Sequence, residues 1–434
     1  MRRFNALLLL LLAVLVMRRT MADDGLADLR STALAFGFAL IAAALAGDLV
    51  ERLRLPRLSG YLLFGLACGP YAADLISRTM ASELQQINGL AIALIAFVAG
   101  LEMNLSRLRE SLPRISRLGA VVLGGSFVIF TVLLATAWPW LPFPALEPFT
   151  LRAAVAGVVA LLVVSFSPTV TIAVMAESRA RGPLTDLVLP VVVLADLALI
   201  VAFALALQFV RWTAGTAHEA EVGLVALLSW ELLGSLAFGA VVGAAFAFYL
   251  RLVGREITLV MIGLCIVLAG VGRALHFEIV LASLTAGLVV ENIAPPKGDA
   301  LKHAVEGGAL PVLIVFFVAA GASLQLDALA SVGLIALLLA AVRALVLYGT
   351  SRVGLRWAGL PDAPGGLAWM GLVSQGGVTL GLASLVAGEF SAWGPTVYTL
   401  VIALTAIHVL AGPVVFRAAL ARAGEVGQMG KAGH

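Results

Sequence analysis

Val164-Ser165-Phe166-Ser167-Pro168-Thr169-Val170-Thr171 lies in the middle of a run from Leu151 to Ala176 that is otherwise apolar, with Arg152 as its one charged residue. At 1.5 Å per residue such a run is long enough to cross the ~30 Å hydrocarbon core of a bilayer. Pro168 removes a backbone donor and presses on the preceding turn, so the carbonyls before it lose their helical partners. A break of this kind survives at membrane depth only where it lines a cavity or is buried in protein. The stretch therefore predicts an all-α polytopic membrane protein with a specialised point in its interior. The remaining composition agrees: 434 residues, 62% hydrophobic and 12% charged, against about 25% charged in a soluble domain. Apolar runs near twenty residues exclude a β-barrel, whose strands alternate over about ten, and 44 glycines suit closely packed helices. A net charge of only +3 argues against a nucleic-acid partner. Cys68 and Cys265 both sit inside apolar runs and imply no disulfide or metal site. No cofactor is called for.

Loops rich in Gly, Pro and charge divide the chain into thirteen candidate spans. They run from Leu26 to Glu51, Arg57 to Ser77, Leu84 to Met103, Ile115 to Trp138, Leu151 to Ala176, Leu184 to Val210, Leu224 to Leu250, Ile257 to Gly272, Phe277 to Glu291, Val305 to Leu324, Leu329 to Ser351, Ala363 to Ala387 and Thr396 to Leu420. Lys and Arg in the connections give an orientation, because cytoplasmic loops collect them. Eighteen fall on one side, including Arg107, Arg109, Arg114 and Arg117 and the tail's Arg417, Arg422 and Lys431; the other side has Arg78, Arg152, Arg211 and Arg273. The C-terminus is then cytoplasmic and the first span starts outside. Arg2, Arg3, Arg18, Arg19 and Arg30 conflict with that orientation. A cleaved signal peptide within residues 1–25 would remove the conflict, and a short extra helix is the alternative.

One basic residue remains inside a span, Arg343, and one acid is comparably central, Asp196. An ionisable residue at such depth is a functional candidate by default; a structural ion pair between the two spans is the other reading. A carboxylate can hold a proton or a cation at one place and so couple two fluxes, whereas a guanidinium stays protonated. The chemistry is therefore assigned to Asp196. The break around Pro168 has a counterpart in Ser374-Gln375-Gly376-Gly377-Val378-Thr379. Two interrupted helices in matching positions of two halves point to a substrate site, with hydroxyls and freed carbonyls as ligands for a dehydrated cation. The halves also match weakly at an offset near 220: Leu94 to Gly100 with Leu313 to Gly321, and Leu45-Ala46-Gly47 with Leu268-Ala269-Gly270. Residues 26–211 and 256–421 then form two six-helix inverted repeats, joined by a linker helix in 212–255 and followed by a short tail, 422–434.

Leu55-Pro56-Arg57-Leu58-Ser59-Gly60-Tyr61-Leu62-Leu63-Phe64-Gly65 with Gly69-Pro70, Phe97-Val98-Ala99-Gly100-Leu101-Glu102 with Asn104-Leu105, Ser167-Pro168-Thr169 and Asp196 together resemble the monovalent cation/proton antiporter superfamily. The likeness is to its second branch, the Kef-type and sodium-proton exchanger membrane domains, and covers about residues 30 to 420. It implies thirteen helices with two crossed, broken ones, a core domain moving against a dimerisation domain in a homodimer, and ion exchange at Asp196. It also implies a basic residue where Arg343 stands and, as setting, a bacterial inner membrane with a role in pH homeostasis. Many members carry a second acid, an Asn or a Gln before the essential acid; here Ala195 stands there, so Arg343 needs another acceptor or must face the cavity.

The expected function is secondary antiport of H+ for Na+ or K+ across the lipid bilayer, with Asp196 the shared carrier and Ser167 and Thr169 auxiliary ligands. Arg343, Glu102, Pro168, Ser374 and Gln375 support the site, and Glu102 is also a candidate second carboxylate. The alternatives are an anion symporter or uniporter built on Arg343, or a gated cation channel. No zinc-protease or nucleophile-turn motif suggests an enzyme. His408 is read as a packed or cavity-facing residue.

Overall fold

A computed structural model describes residues 27–53, 55–101, 105–214, 221–293, 311–360 and 362–428. Among them there are helices and no strands. In chain order these are α1 (Ala27–Glu51), α2 (Arg57–Cys68), α3 (Arg78–Leu101), α4 (Leu105–Ala137), α5 (Phe149–Val164), α6 (Pro168–Glu177), α7 (Pro183–Thr213), α8 (Glu221–Leu252), α9 (Ile257–Leu275) and α10 (Ile279–Ile293). There follow α11 (Pro311–Ala322), α12 (Leu326–Ala358), the single turns α13 (Asp362–Gly365) and α14 (Ala368–Gly371), α15 (Gly377–Glu389) and α16 (Gly394–Arg422). Among the described residues, seven stretches are long and apolar enough to cross a membrane. The sequence boundaries shift most in two places, while α12 runs on to Ala358 past the expected Ser351 and α3 starts at Arg78 before the expected Leu84. The span expected to reach Ser77 ends as a helix at Cys68, where Gly69 turns extended and Pro70 follows. The basic stretch expected as a loop before Ile115 is instead the start of α4, which begins at Leu105 and keeps Pro113 inside it. The proposed signal segment 1–25, Glu102 and Lys431 lie outside the described residues.

The chain forms two compact units, residues 1–105 with 231–324, and 106–230 with 325–434. The first contains α1 to α3, most of α8, and α9 to α11. Its helices meet at glycines: a Cβ on Gly65 would strike the Val318 carbonyl, one on Gly321 the Leu62 carbonyl, one on Gly100 the Leu284 carbonyl, and one on Gly287 the Phe97 carbonyl. Gly239 and Gly243 of α8 face the carbonyls of Ala282 and Ala286 in the same way. Backbone therefore lies directly on backbone, the arrangement small residues permit between membrane helices. Around these crossings Phe97, Phe246, Met261, Cys265 and Leu268 fill an apolar core. The second unit contains α4 to α7 and α12 to α16, and α5 is its most enclosed helix, buried from Ala154 to Val164.

Candidate functional site

In the second unit the helix of residues 149–177 is broken where the proline demanded. α5 ends at Val164, Ser165 to Ser167 are extended, and α6 restarts with Pro168 in its first turn, where a missing N–H costs nothing. Ser167 caps α6, its Oγ accepting from the Val170 N–H at 3.3 Å. The second break follows α14: residues 373–376 are irregular and α15 begins at Gly377. The breaks cross. Ser165 Oγ lies 2.7 Å from Thr379 Oγ1, Thr171 Oγ1 donates to the Gly371 carbonyl at 3.1 Å, and a Cβ on Gly376 would lie 2.5 Å from Ser167 Oγ. Gly376 has extended backbone that any residue could adopt, so it is space that requires glycine there.

Arg343 of α12 lies where the two breaks meet and is fully buried. Its Nη1 donates to the Val373 carbonyl at 2.6 Å, and its Nη2 to the carbonyls of Ser165 at 2.7 Å, Leu372 at 3.1 Å and Val164 at 3.5 Å. One guanidinium thus bridges the C-terminal ends of two half-helices, each with partial negative charge. Its carbon lies 5.9 Å from the centre of the Phe166 ring. Gln375, also fully buried, donates through Nε2 to the carbonyls of Leu162 and Val163, both at 3.0 Å, and to Ser165 Oγ at 3.1 Å. With the amide so oriented, its Oε1 accepts, and His408 of α16 meets it through Nδ1 at 2.9 Å. Ser374 is buried against Gly412 of α16, its Oγ without a hydrogen-bond partner among the described residues.

Asp196 sits on α7, 4% exposed, and α7 packs on α5 and α6. Beyond it Arg211 grips Glu389 at the end of α15 through two contacts, 2.6 and 2.8 Å, tying the acid's helix to the second broken one. Pro168 and Ser167 are buried and Thr169 is half-buried at the start of α6. Among the described residues no group of three or more His, Cys, Asp or Glu could hold a metal ion. A buried carboxylate, two interrupted helices and a buried guanidinium held by main-chain carbonyls are thus assembled in one unit.

The profile of the transmembrane sodium/hydrogen exchanger family matches residues 36–422. The chain belongs to that family. It is accordingly a transporter rather than an enzyme, and an integral membrane protein. Among solved structures, two of the sodium proton antiporter MjNhaP1 from Methanocaldococcus jannaschii share its fold. One, determined at pH 8, has TM-score 0.64 and 18% identity over 90% of this chain and 95% of that one. The other, an electron-microscopy structure, has TM-score 0.69 and 17% identity over 90% and 97%.

Within this exchanger the structure brings together Arg343, Gln375, Ser374 and the Ser167–Thr169 break. It answers the question Ala195 raised, because the acceptors of Arg343 are main-chain carbonyls. The carbonyls of residues 162–165, 372 and 373 accept from Arg343 or Gln375. Reading the sequence missed the Ser165–Thr379 and Thr171–Gly371 bonds. Serine and threonine inside apolar runs were the available signal; the pairings had none.

Proposed function

We propose that this exchanger swaps one H+ for one Na+ or K+ at Asp196, with Ser167 and Thr169 as auxiliary ligands. The observation that carries the reading is a buried carboxylate on a helix packed against both halves of the broken one. Arg343 is enclosed and both its terminal nitrogens serve carbonyls, which argues against an anion site built on it. Because proton and cation compete for one carboxylate, the apparent cation affinity improves as pH rises. A single carboxylate carrying either a proton or a cation keeps the loaded charge constant, so the cycle is electroneutral. Similarity in fold to a sodium proton antiporter favours Na+ as the first cation to try.

The same reading takes the thirteen spans as crossing, with the N-terminus outside after signal cleavage, the C-terminus cytoplasmic, and a homodimer in a bacterial inner membrane serving pH homeostasis. The inverted repeat, 26–211 against 256–421, has support in the glycine crossings: Gly65 pairs with Val318 and Leu62 with Gly321, while Gly287 pairs with Phe97 and Leu284 with Gly100. A shift of 221 or 222 positions converts the first set into the second. The test is dye-reported H+ movement in proteoliposomes on adding Na+, K+ or Li+. Cation-driven movement that saturates is expected; no movement with any of the three, or flux at channel rates, overturns the reading.

A further inference from the structure

The start of α7 is held from far away. Its N-cap is Gly182, which has no side-chain oxygen to offer the first amides of the helix. Glu425, past the end of α16 and 3% exposed, takes that place: its Oε1 accepts from the Leu184 N–H at 2.6 Å, and its Oε2 accepts from the Thr185 N–H at 2.9 Å and the Thr185 hydroxyl at 2.6 Å. The backbone pairs as well, the Arg181 N–H donating to the Glu425 carbonyl at 3.2 Å and the Gly427 N–H to the Ser178 carbonyl at 3.0 Å. Gly182 is needed here for space and for a backbone φ of 157°, since a Cβ would lie 2.6 Å from the Glu425 side chain. Arg417 of α16 approaches Glu177 at the end of α6 at 3.9 Å, a second tie to the same corner. Glu425 lies just beyond the segment matched by the family profile, which ends at Arg422.

The corner at 178–183 joins α6, whose second residue is Thr169, to α7, which carries Asp196. The separation of these proposed ligands is set by two rigid arms leaving one hinge. Negative charge at the positive end of α7 adds to the hold. We propose that Glu425 is a positioning residue for the exchange site, clamping the α6–α7 corner so that Asp196 and the Ser167–Thr169 break keep the spacing a cation requires. The inference rests on the exchange reading above. A loosened corner misplaces ligands by a fraction of an ångström to an ångström, which affects binding before it affects turnover.

The experiment compares Glu425→Ala, the near-isosteric Glu425→Gln and Thr185→Val with the unaltered full chain in proteoliposomes. Na+ is the probe, and thermal midpoints with and without NaCl are read in detergent. Glu425→Ala is expected to raise the KM for Na+ about tenfold while kcat stays within about threefold. Glu425→Gln, which can accept through only one of its two terminal atoms, should give a smaller rise, and Thr185→Val the least. The Na+-induced rise in midpoint should shrink in the same order. If Glu425→Ala does not accumulate as folded protein, Glu425→Gln decides. Unchanged KM and unchanged Na+-induced shift in Glu425→Gln, beside an unaltered chain that exchanges, overturn this inference alone, as does a fall in kcat with KM constant. An unaltered chain that neither moves H+ on adding a cation nor responds to Na+ overturns the exchange reading, and this inference with it.

Discussion

In the unit built from α1 to α3 and α8 to α11, helices meet through glycines, backbone against backbone; in the unit holding α4 to α7 and α12 to α16, they meet where two are broken and side chains bridge the gaps. Among the described residues, the buried polar side chains of the first unit are Ser59, Ser235 and Ser283. The second buries Asp196, Arg343, Glu425, Gln375 and His408, together with eleven serines and threonines, Ser165, Thr171 and Thr379 among them. Close glycine packing gives van der Waals contact with little polar cost. Broken helices expose carbonyls that need donors in a medium without water, so their unit carries a buried polar network. The lesson is a division of labour: one interior suited to rigidity, the other to binding charge.

Five measurements bear on this division. The largest effect is expected for Asp196→Asn, which should cut cation-driven H+ flux at least about a hundredfold. The thermal midpoint should be nearly unchanged, because the amide keeps the shape of the carboxylate; retained flux above a few per cent would remove the carrier role. Next is Arg343→Met, which leaves the carbonyls of both breaks without donors and should lower stability by roughly 2–4 kcal/mol by denaturant or thermal unfolding. Arg343→Lys should recover only part, since an ammonium lacks the fork that reaches both breaks. If Arg343→Met is no worse than a surface change, the network is not what holds the crossing.

Gly100→Ala tests the other unit. Its Cβ would meet the Leu284 carbonyl, and overpacking of this kind typically costs about 1–3 kcal/mol. Stability should fall while the KM for Na+ stays within twofold or so; a large KM change would dissolve the division of labour. Thr169→Ala should raise KM by about threefold to tenfold with little change in maximal rate. The smallest effect is none: an imposed membrane potential, worth about 2.3 kcal/mol per charge per 100 mV, should leave Na+- or Li+-driven exchange unaltered. Acceleration or reversal by voltage would mean that a second carboxylate, with Glu102 the first to examine, joins Asp196.

Much of the site was legible in residue types. Asp196 and Arg343 stood out as charges at span centres, and Pro168 and the Ser374 to Thr379 stretch marked both breaks within a residue or two. Helix ends were less legible: Gly69 stopped α2 early, and the basic residues before Ile115 were read as a loop although α4 already runs through them from Leu105. Charge outvoted helical continuity there, yet a helix emerging from the membrane can keep its basic turns in water.

The amino-acid order was enough to identify a helical membrane protein with an acid and a base central in apolar spans and two interrupted helices. Hydropathy, proline geometry and glycine content are local quantities, readable a few residues at a time. What those groups touch depends on how the chain folds. Arg343 and Gln375 find acceptors up to 213 positions away, and Glu425 reaches helix amides 240 and 241 positions from it. Most of those partners are main-chain N–H and C=O groups, which nearly every residue possesses. No residue type advertises such a partner, so the chain has to fold before the pairing exists.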